Sequence, residues 1–325
     1  MADLTAEAGL RPAPVRLVLG TMSFGDTVPE ATARAIVETA VAAGIAEVDT
    51  ANTYAGGAGE PMMGRVLAEK LGSVAVSSKV GMQPAVGAGQ GPLSREAIIT
   101  SAEASVDRVG GALDTLYLHQ PDRSTALEET LTGVAEVLDR GLAARFGLSN
   151  YSAWEMVEVQ ALSERLDLPA PRRAQQLYNL LARRLELEFL PYAVDRGIET
   201  VVYNPLAGGL LTGRYSRDDQ PEDGRFGSSV LASMYRNRYW KPAQFTALTQ
   251  LQSIAAQADV PMSELALRWL VESEGVSAIL LGASTPEQLT ANIEAVGRGP
   301  LEAEVRAAID AATAMLLSDS PHYAR

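Results

Sequence analysis

Glu47-Val48-Asp49-Thr50-Ala51-Asn52-Thr53-Tyr54 carries a short β-type run onto an aspartate and reaches a tyrosine five residues later, at the edge of a glycine-rich loop. A polar residue closing a β-type run is what a parallel barrel delivers to its active face, where the carboxyl ends of the strands gather. Two later stretches end in the same way, Val76-Ser77-Ser78-Lys79 and Leu116-Tyr117-Leu118-His119. As strands of one barrel they would bring Asp49, Tyr54, Lys79 and His119 to a common point.

Working outward, β-type runs recur at Arg16–Leu19, Ala46–Asp49, Val74–Val80, Thr115–His119, Ala144–Leu148, Ala174–Leu177, Glu199–Tyr203 and Ser277–Leu281, each separated from the next by residues of helical period. Leu127, Leu131, Val134 and Leu138 fall at spacings of one helical face, with Gly141 placed to cap the end; Ile36, Val37, Ala40 and Val41 form a similar stripe that stops at Gly44. Val201-Val202-Tyr203 and Ala278-Ile279-Leu280-Leu281 are continuously apolar, as expected of parallel strands covered on both faces. Eight strand-helix units predict a single (β/α)8 TIM barrel over residues 1–325. Ala207–Trp240 reads as a long loop after the seventh strand, Pro261–Glu274 as a further helix and Leu301–Leu317 as an extra C-terminal helix. The glycine cluster Gly87-Ala88-Gly89-Gln90-Gly91 has the wrong spacing for a dinucleotide-binding turn, which argues against a doubly wound sheet.

Composition narrows the chemistry. The chain of 325 residues is 47% hydrophobic, with no apolar run near the roughly 18 residues of a membrane span. Its acidic start lacks the basic and apolar segments of an export signal, so cytoplasmic residence is expected. With no cysteine and two histidines, thiolate nucleophiles are excluded and a catalytic metal is not expected. A formal charge of −13 disfavours nucleic acid and anionic membranes as partners.

At a carbonyl, Asp49, Tyr54, Lys79 and His119 have complementary uses. A free phenol titrates near 10, and an adjacent ammonium favours its ionised form, so Lys79 would draw Tyr54 towards neutral pH as a proton donor. Asp49 would balance a lysine brought inside the barrel, and a neutral His119 could orient the substrate oxygen. The four supply no electrons, a gap that hydride from a nicotinamide would fill.

With these residues in view, the chain resembles the aldo-keto reductase family along nearly its whole length. Gly20-Thr21-Met22, Asp49-Thr50-Ala51 with Tyr54, Ser78-Lys79, Asp114 to His119, Gly147-Leu148-Ser149-Asn150, Gln175-Gln176, Tyr203-Asn204-Pro205-Leu206 and Gly282-Ala283-Ser284 all stand in family order. Gln120-Pro121-Asp122, Tyr203 to Tyr215, Met234 to Trp240 and the ending His322-Tyr323-Ala324-Arg325 are similar to the aflatoxin aldehyde / succinic semialdehyde reductase branch. The resemblance implies an NADPH-dependent aldehyde or ketone reductase, with NADH the alternative cofactor, a small-molecule carbonyl as substrate, and a monomer or homodimer. It implies Tyr54 as acid, tuned by Lys79 and Asp49, with His119 orienting the carbonyl. Ser149, Asn150, Gln176 and Tyr203 would lie at the nicotinamide end of the cofactor; Leu206, Gly209, Leu211 and Arg214 along the pyrophosphate; Gly282, Ser284, Gln288 and Asn292 at the adenosine end; Met22 and Asn204 would also bind the cofactor. Gly282 and Gln288 stand where many members carry a lysine and an arginine around the 2′-phosphate, leaving Ser284 and a helix start to meet an anion. Arg236 or Arg238, together with Arg325, would hold a substrate carboxylate.

Other readings compete. Taken singly, Asp49 reads as a cap or salt-bridge partner, Tyr54 as a surface aromatic and His119 as a hydrogen-bonded core residue. Thr285-Pro286-Glu287-Gln288 also satisfies a helix-capping pattern, so Gln288 has two candidate roles. The potassium-channel β-subunits resemble the same family and act chiefly as partners, and a dedicated biosynthetic ketoreductase would use the same four residues.

Overall fold

The computed structural model describes residues 15–82, 91–218 and 221–318. The glycine cluster at 87–91 lies largely outside them, and Arg325 wholly so. Eight parallel strands, β1 (Arg16–Gly20), β2 (Glu47–Asp49), β3 (Ala75–Val80), β4 (Leu113–Leu118), β5 (Ala143–Ser149), β6 (Arg173–Leu177), β7 (Glu199–Tyr203) and β8 (Ala278–Leu281), pair in chain order, and β8 returns to β1 to close a barrel. All eight expected runs are strands, with ends displaced by no more than two residues; His119 falls just past the end of β4.

Helices cover the barrel in the expected (β/α)8 order. The Leu127–Asp139 helix buries Leu131 and Val134, and Gly141 takes the left-handed conformation (φ 67°) that ends it. Gly44 does the same after Glu30–Ala42. The connection after β7 is more ordered than an irregular loop: it holds a 3₁₀ turn at Ala207–Thr212, another at Gly224–Phe226 and a helix at Ala232–Tyr239, before a long helix, Pro242–Gln257. Tyr215, Phe226, Tyr235 and Trp240 pack edge-on and tilted within it, which supplies the local core that a free loop lacks. The C-terminal helix runs Ala303–Thr313 and breaks before a last turn at Met315–Ser318. Among the described residues no helix is long and apolar enough to cross a membrane.

Because side chains alternate along a strand, every second residue enters the lumen. At the amino-terminal end Arg173 is buried and pairs with Glu47 (2.7 Å) and Glu199 (3.4 Å), also donating to Thr115 Oγ1 (3.1 Å). This network seals the floor with paired rather than isolated charge. Above it Val18, Val201 and Ala278 make a small apolar layer, and Tyr117 fills space left by Gly147, whose absent Cβ would lie 2.8 Å from the tyrosine ring. The top layer, at the carboxyl ends, receives Asp49, Lys79 and His119.

Candidate active site

Lys79 organises this layer. Its Nζ pairs with Asp49 Oδ1 and donates to Thr50 O at 2.8 Å and to Tyr54 Oη at 3.0 Å. Both members of the ion pair have side chains only 1% exposed. The second Asp49 oxygen accepts from Gln175 Nε2 at 2.8 Å, so neither carboxylate oxygen is left unbonded. The Tyr54 ring meets the His119 ring edge-on, centroids 6.1 Å apart. The four residues expected to converge therefore do so, two strand ends and two following turns contributing one each.

Burial is the strongest influence on Lys79 and opposes its charge, but Asp49 and Tyr54 outweigh it and hold the ammonium above its ordinary range. For Tyr54 the balance runs the other way from the sequence reading. Burial dominates and keeps the phenol above its ordinary range, with Lys79 pulling down against it. Tyr54 thus keeps its proton at neutral pH. Burial, reinforced by Lys79, pushes His119 down to about 3, so its imidazole is neutral throughout the physiological range.

The remaining expected residues separate into groups. Asn150, at positive φ (64°), donates to His119 O (2.8 Å) and Ser149 Oγ (3.1 Å) and accepts from Tyr203 OH (2.7 Å), linking the ends of β4, β5 and β7. Burial pushes Tyr203 up to about 12. Asn204, also left-handed (φ 61°), donates to Tyr239 OH and accepts from Gly208 N, each at 2.8 Å, which pins the start of the long connection. Leu206 is partly buried and Leu211 fully so; Gly209 (φ 103°) lies against Arg214, whose guanidinium a Cβ there would approach within 3.1 Å. A cleft of about 370 Å³ opens beside this arm, lined by Gly213, Arg214, Tyr215, Arg217, Phe245 and Gln252. Met22 packs at the core margin, Asn292 is buried, and Gly282 faces open space, with Gly20 O the nearest atom to a notional Cβ at 3.9 Å. Gln288 serves its own turn: its Oε1 accepts from Ser284 N (3.0 Å) while Thr285 Oγ1 accepts from Gln288 N (3.3 Å).

Three placements could not be read from spacing. Gln176 turns to the helix side of β6 and donates to Tyr151 O at 2.6 Å; Gln175, passed over in the sequence, is the glutamine that enters the lumen. Gln175 shares a face of β6 with Arg173, and the pairing of that strand is what shows this face to be the lumen. Arg236 is committed to backbone, donating to Phe226 O (2.7 Å) and Pro221 O (3.2 Å). Arg238 is the freer of the pair, bonded among the described residues only to Met234 Sδ at 3.9 Å, and its charge acts on Tyr203, Tyr235 and Tyr239. A further cation, Arg225, sits 3.6 Å from Asp26 and 5.7 Å from the Tyr235 ring centroid, and its charge, like that of Lys79, favours the ionised form of Tyr54 against burial.

Comparison with known proteins fits this arrangement. The profile described as the Aldo/keto reductase family matches residues 16–314. The chain belongs to the aldo/keto reductase family. It is 36% identical to aflatoxin B1 aldehyde reductase member 2 of Mus musculus, over 98% of this chain and 89% of that protein. It is 34% identical to aldo-keto reductase family 7 member A3 of Homo sapiens, over 97% and 98%. A probable voltage-gated potassium channel subunit beta of Arabidopsis thaliana is 32% identical over 86% of each chain. As an aldo/keto reductase this protein is an NAD(P)H-dependent oxidoreductase of small carbonyl compounds.

Proposed function

We propose that this aldo/keto reductase converts aldehydes or ketones to alcohols with NADPH, NADH serving less well, and that Tyr54 protonates the carbonyl oxygen. The observation that carries the reading is the contact of Lys79 Nζ with Tyr54 Oη at 3.0 Å, backed by Asp49. Tyr54 gives up its proton to the oxygen as negative charge develops there, and the ammonium beside Oη stabilises the phenolate left behind. Asp49, fixed by Gln175, keeps Lys79 charged and in place. The Nδ1 of His119 is buried without a hydrogen-bond partner among the described residues, which favours the tautomer with its proton on Nε2, a donor that can aim the carbonyl oxygen at Tyr54. The nicotinamide, when bound, supplies the hydride.

The residues present suit that cofactor. Ser149 and Asn150 offer donors and acceptors to a carboxamide and Tyr203 a ring face; the left-handed Gly208 and Gly209 allow a pyrophosphate close to backbone, with Arg214 beside it; Gly282, Ser284 and Asn292 would meet the adenosine end. Among substrates, a carboxylate-bearing aldehyde is favoured by Arg238, whose guanidinium is not consumed by backbone as that of Arg236 is. Cytoplasmic residence as a monomer or homodimer completes the reading.

The test is a panel of aldehydes and ketones assayed with NADPH and NADH in parallel, on the parent and on Tyr54→Phe. NADPH oxidation is expected with the parent, and Tyr54→Phe should lose roughly 10²–10⁴ in kcat while still binding NADPH, the span that general acid catalysis contributes. Parent-like turnover in Tyr54→Phe would refute the acid assignment. Cofactor binding without oxidation across the whole panel would favour the regulatory reading.

A further inference from the structure

The turn that carries Tyr54 is strained. The three residues after it, Ala55 (φ 51°), Gly56 (φ 65°) and Gly57 (φ 99°), are all left-handed, a conformation that an alanine's Cβ disfavours and that persists only where surrounding structure imposes it. The helix Gly59–Leu67 that follows is seated at two points, its start and its middle. A Cβ on Gly59 would lie 3.0 Å from Tyr54 Cβ and 3.2 Å from Tyr54 O, so the first helical residue rests directly on the tyrosine. One on Gly64 would lie 2.3 Å from Arg108 O, so the helix also beds against the end of Arg95–Val109.

Glu60 joins these contacts to the other half of the site. Its side chain is buried, with Oε2 accepting from Arg108 Nε (2.8 Å) and Nη2 (2.5 Å). Its Oε1 accepts from Ser78 Oγ. Ser78 precedes Lys79 in β3, and strand alternation sends the serine out to the helices and the lysine into the lumen. One carboxylate therefore ties the back of the lysine-bearing strand to the helix that abuts the tyrosine. We propose that Glu60, through Ser78 and Arg108, is a positioning residue that holds the Tyr54 hydroxyl at bonding distance from Lys79. The inference rests on the reading of Tyr54 as proton donor.

Ser78→Ala removes the tie to β3 and leaves the Glu60–Arg108 pair intact; Glu60→Leu removes both links, and Glu60→Gln keeps an oxygen for Ser78. Turnover is measured per NADPH-binding site, counted by cofactor fluorescence, together with KM for the carbonyl. Ser78→Ala should lower kcat on the order of tenfold, within the range that ångström-scale misplacement of a reacting group costs, with KM and NADPH affinity little changed. Glu60→Gln should recover part of what Glu60→Leu loses. Parent kcat per site in Ser78→Ala, or a loss shared equally by kcat, KM and cofactor affinity, overturns the proposal, because a helix that only stabilises the fold leaves turnover of the cofactor-binding fraction unchanged. Tyr54→Phe in the same series separates the two failures: if it turns over like the parent, the proton-donor reading is what falls.

Discussion

Replacing Lys79 with Met removes the cation between Asp49 and Tyr54 while keeping much of the side chain's volume. Asp49 is then buried with Gln175 as its remaining side-chain donor. Breaking a buried pair by deleting one partner costs about 3–5 kcal/mol, because the other charge is stranded. In a chain of this size that corresponds to a fall in melting temperature on the order of 10 °C. The penalty should depend on pH in a definite sense. Burial already raises Asp49 above its ordinary range, and loss of Lys79 raises it further. A carboxyl whose folded-state pKa exceeds the unfolded value of about 3.9 takes up its proton more readily when folded, so the destabilisation is least below that value and grows as pH rises through the folded pKa. Asp49→Asn/Lys79→Met removes both charges and should regain much of the lost stability while turnover stays low, since Tyr54 has still lost the ammonium at its hydroxyl. Thermal unfolding from acid to neutral pH, with NADPH oxidation measured in parallel, tests both halves. A single variant as stable as the parent at neutral pH, or a double variant no more stable than the single, would show that no stranded carboxylate is involved.

Two further outcomes follow from the same geometry. His119 is held near 3 in the fold against about 6.5 when unfolded, so its contribution to stability is present above about 6.5 and is lost as pH falls from there towards 3; His119→Gln should flatten that part of the acid unfolding profile, and an unchanged profile would count against a buried neutral imidazole. Arg238→Ala should raise KM for succinic semialdehyde roughly 10- to 100-fold, the equivalent of a charge-assisted hydrogen bond of about 1.5–3 kcal/mol, and leave a neutral aromatic aldehyde nearly unaffected; equal effects on both would reject the carboxylate contact.

The barrel was legible because its signal is local. A strand buried on both faces must be apolar over four to six consecutive residues, a helix must repeat on its own period, and eight alternations leave few other architectures. The meeting of Asp49, Tyr54, Lys79 and His119 was legible for a related reason, since polar residues at carboxyl ends of barrel strands share one face whatever the loops do. Gln175 and Gln176 differ by one residue, and only the pairing of β6 decided which of them enters the lumen. Arg236 and Arg238 share a helix, and the carbonyls that engage the first belong to a different part of the long connection.

From the sequence alone came the order of elements and the identity of the four converging residues, because both depend on patterns spanning a few neighbouring positions. The tertiary structure decided that Tyr54 stays protonated, that Gln175 rather than Gln176 supports Asp49 across 126 residues of chain, and that Glu60 joins the tyrosine's helix to the lysine's strand. Burial and hydrogen-bond distance are sums over segments remote from one another, and no local window contains them.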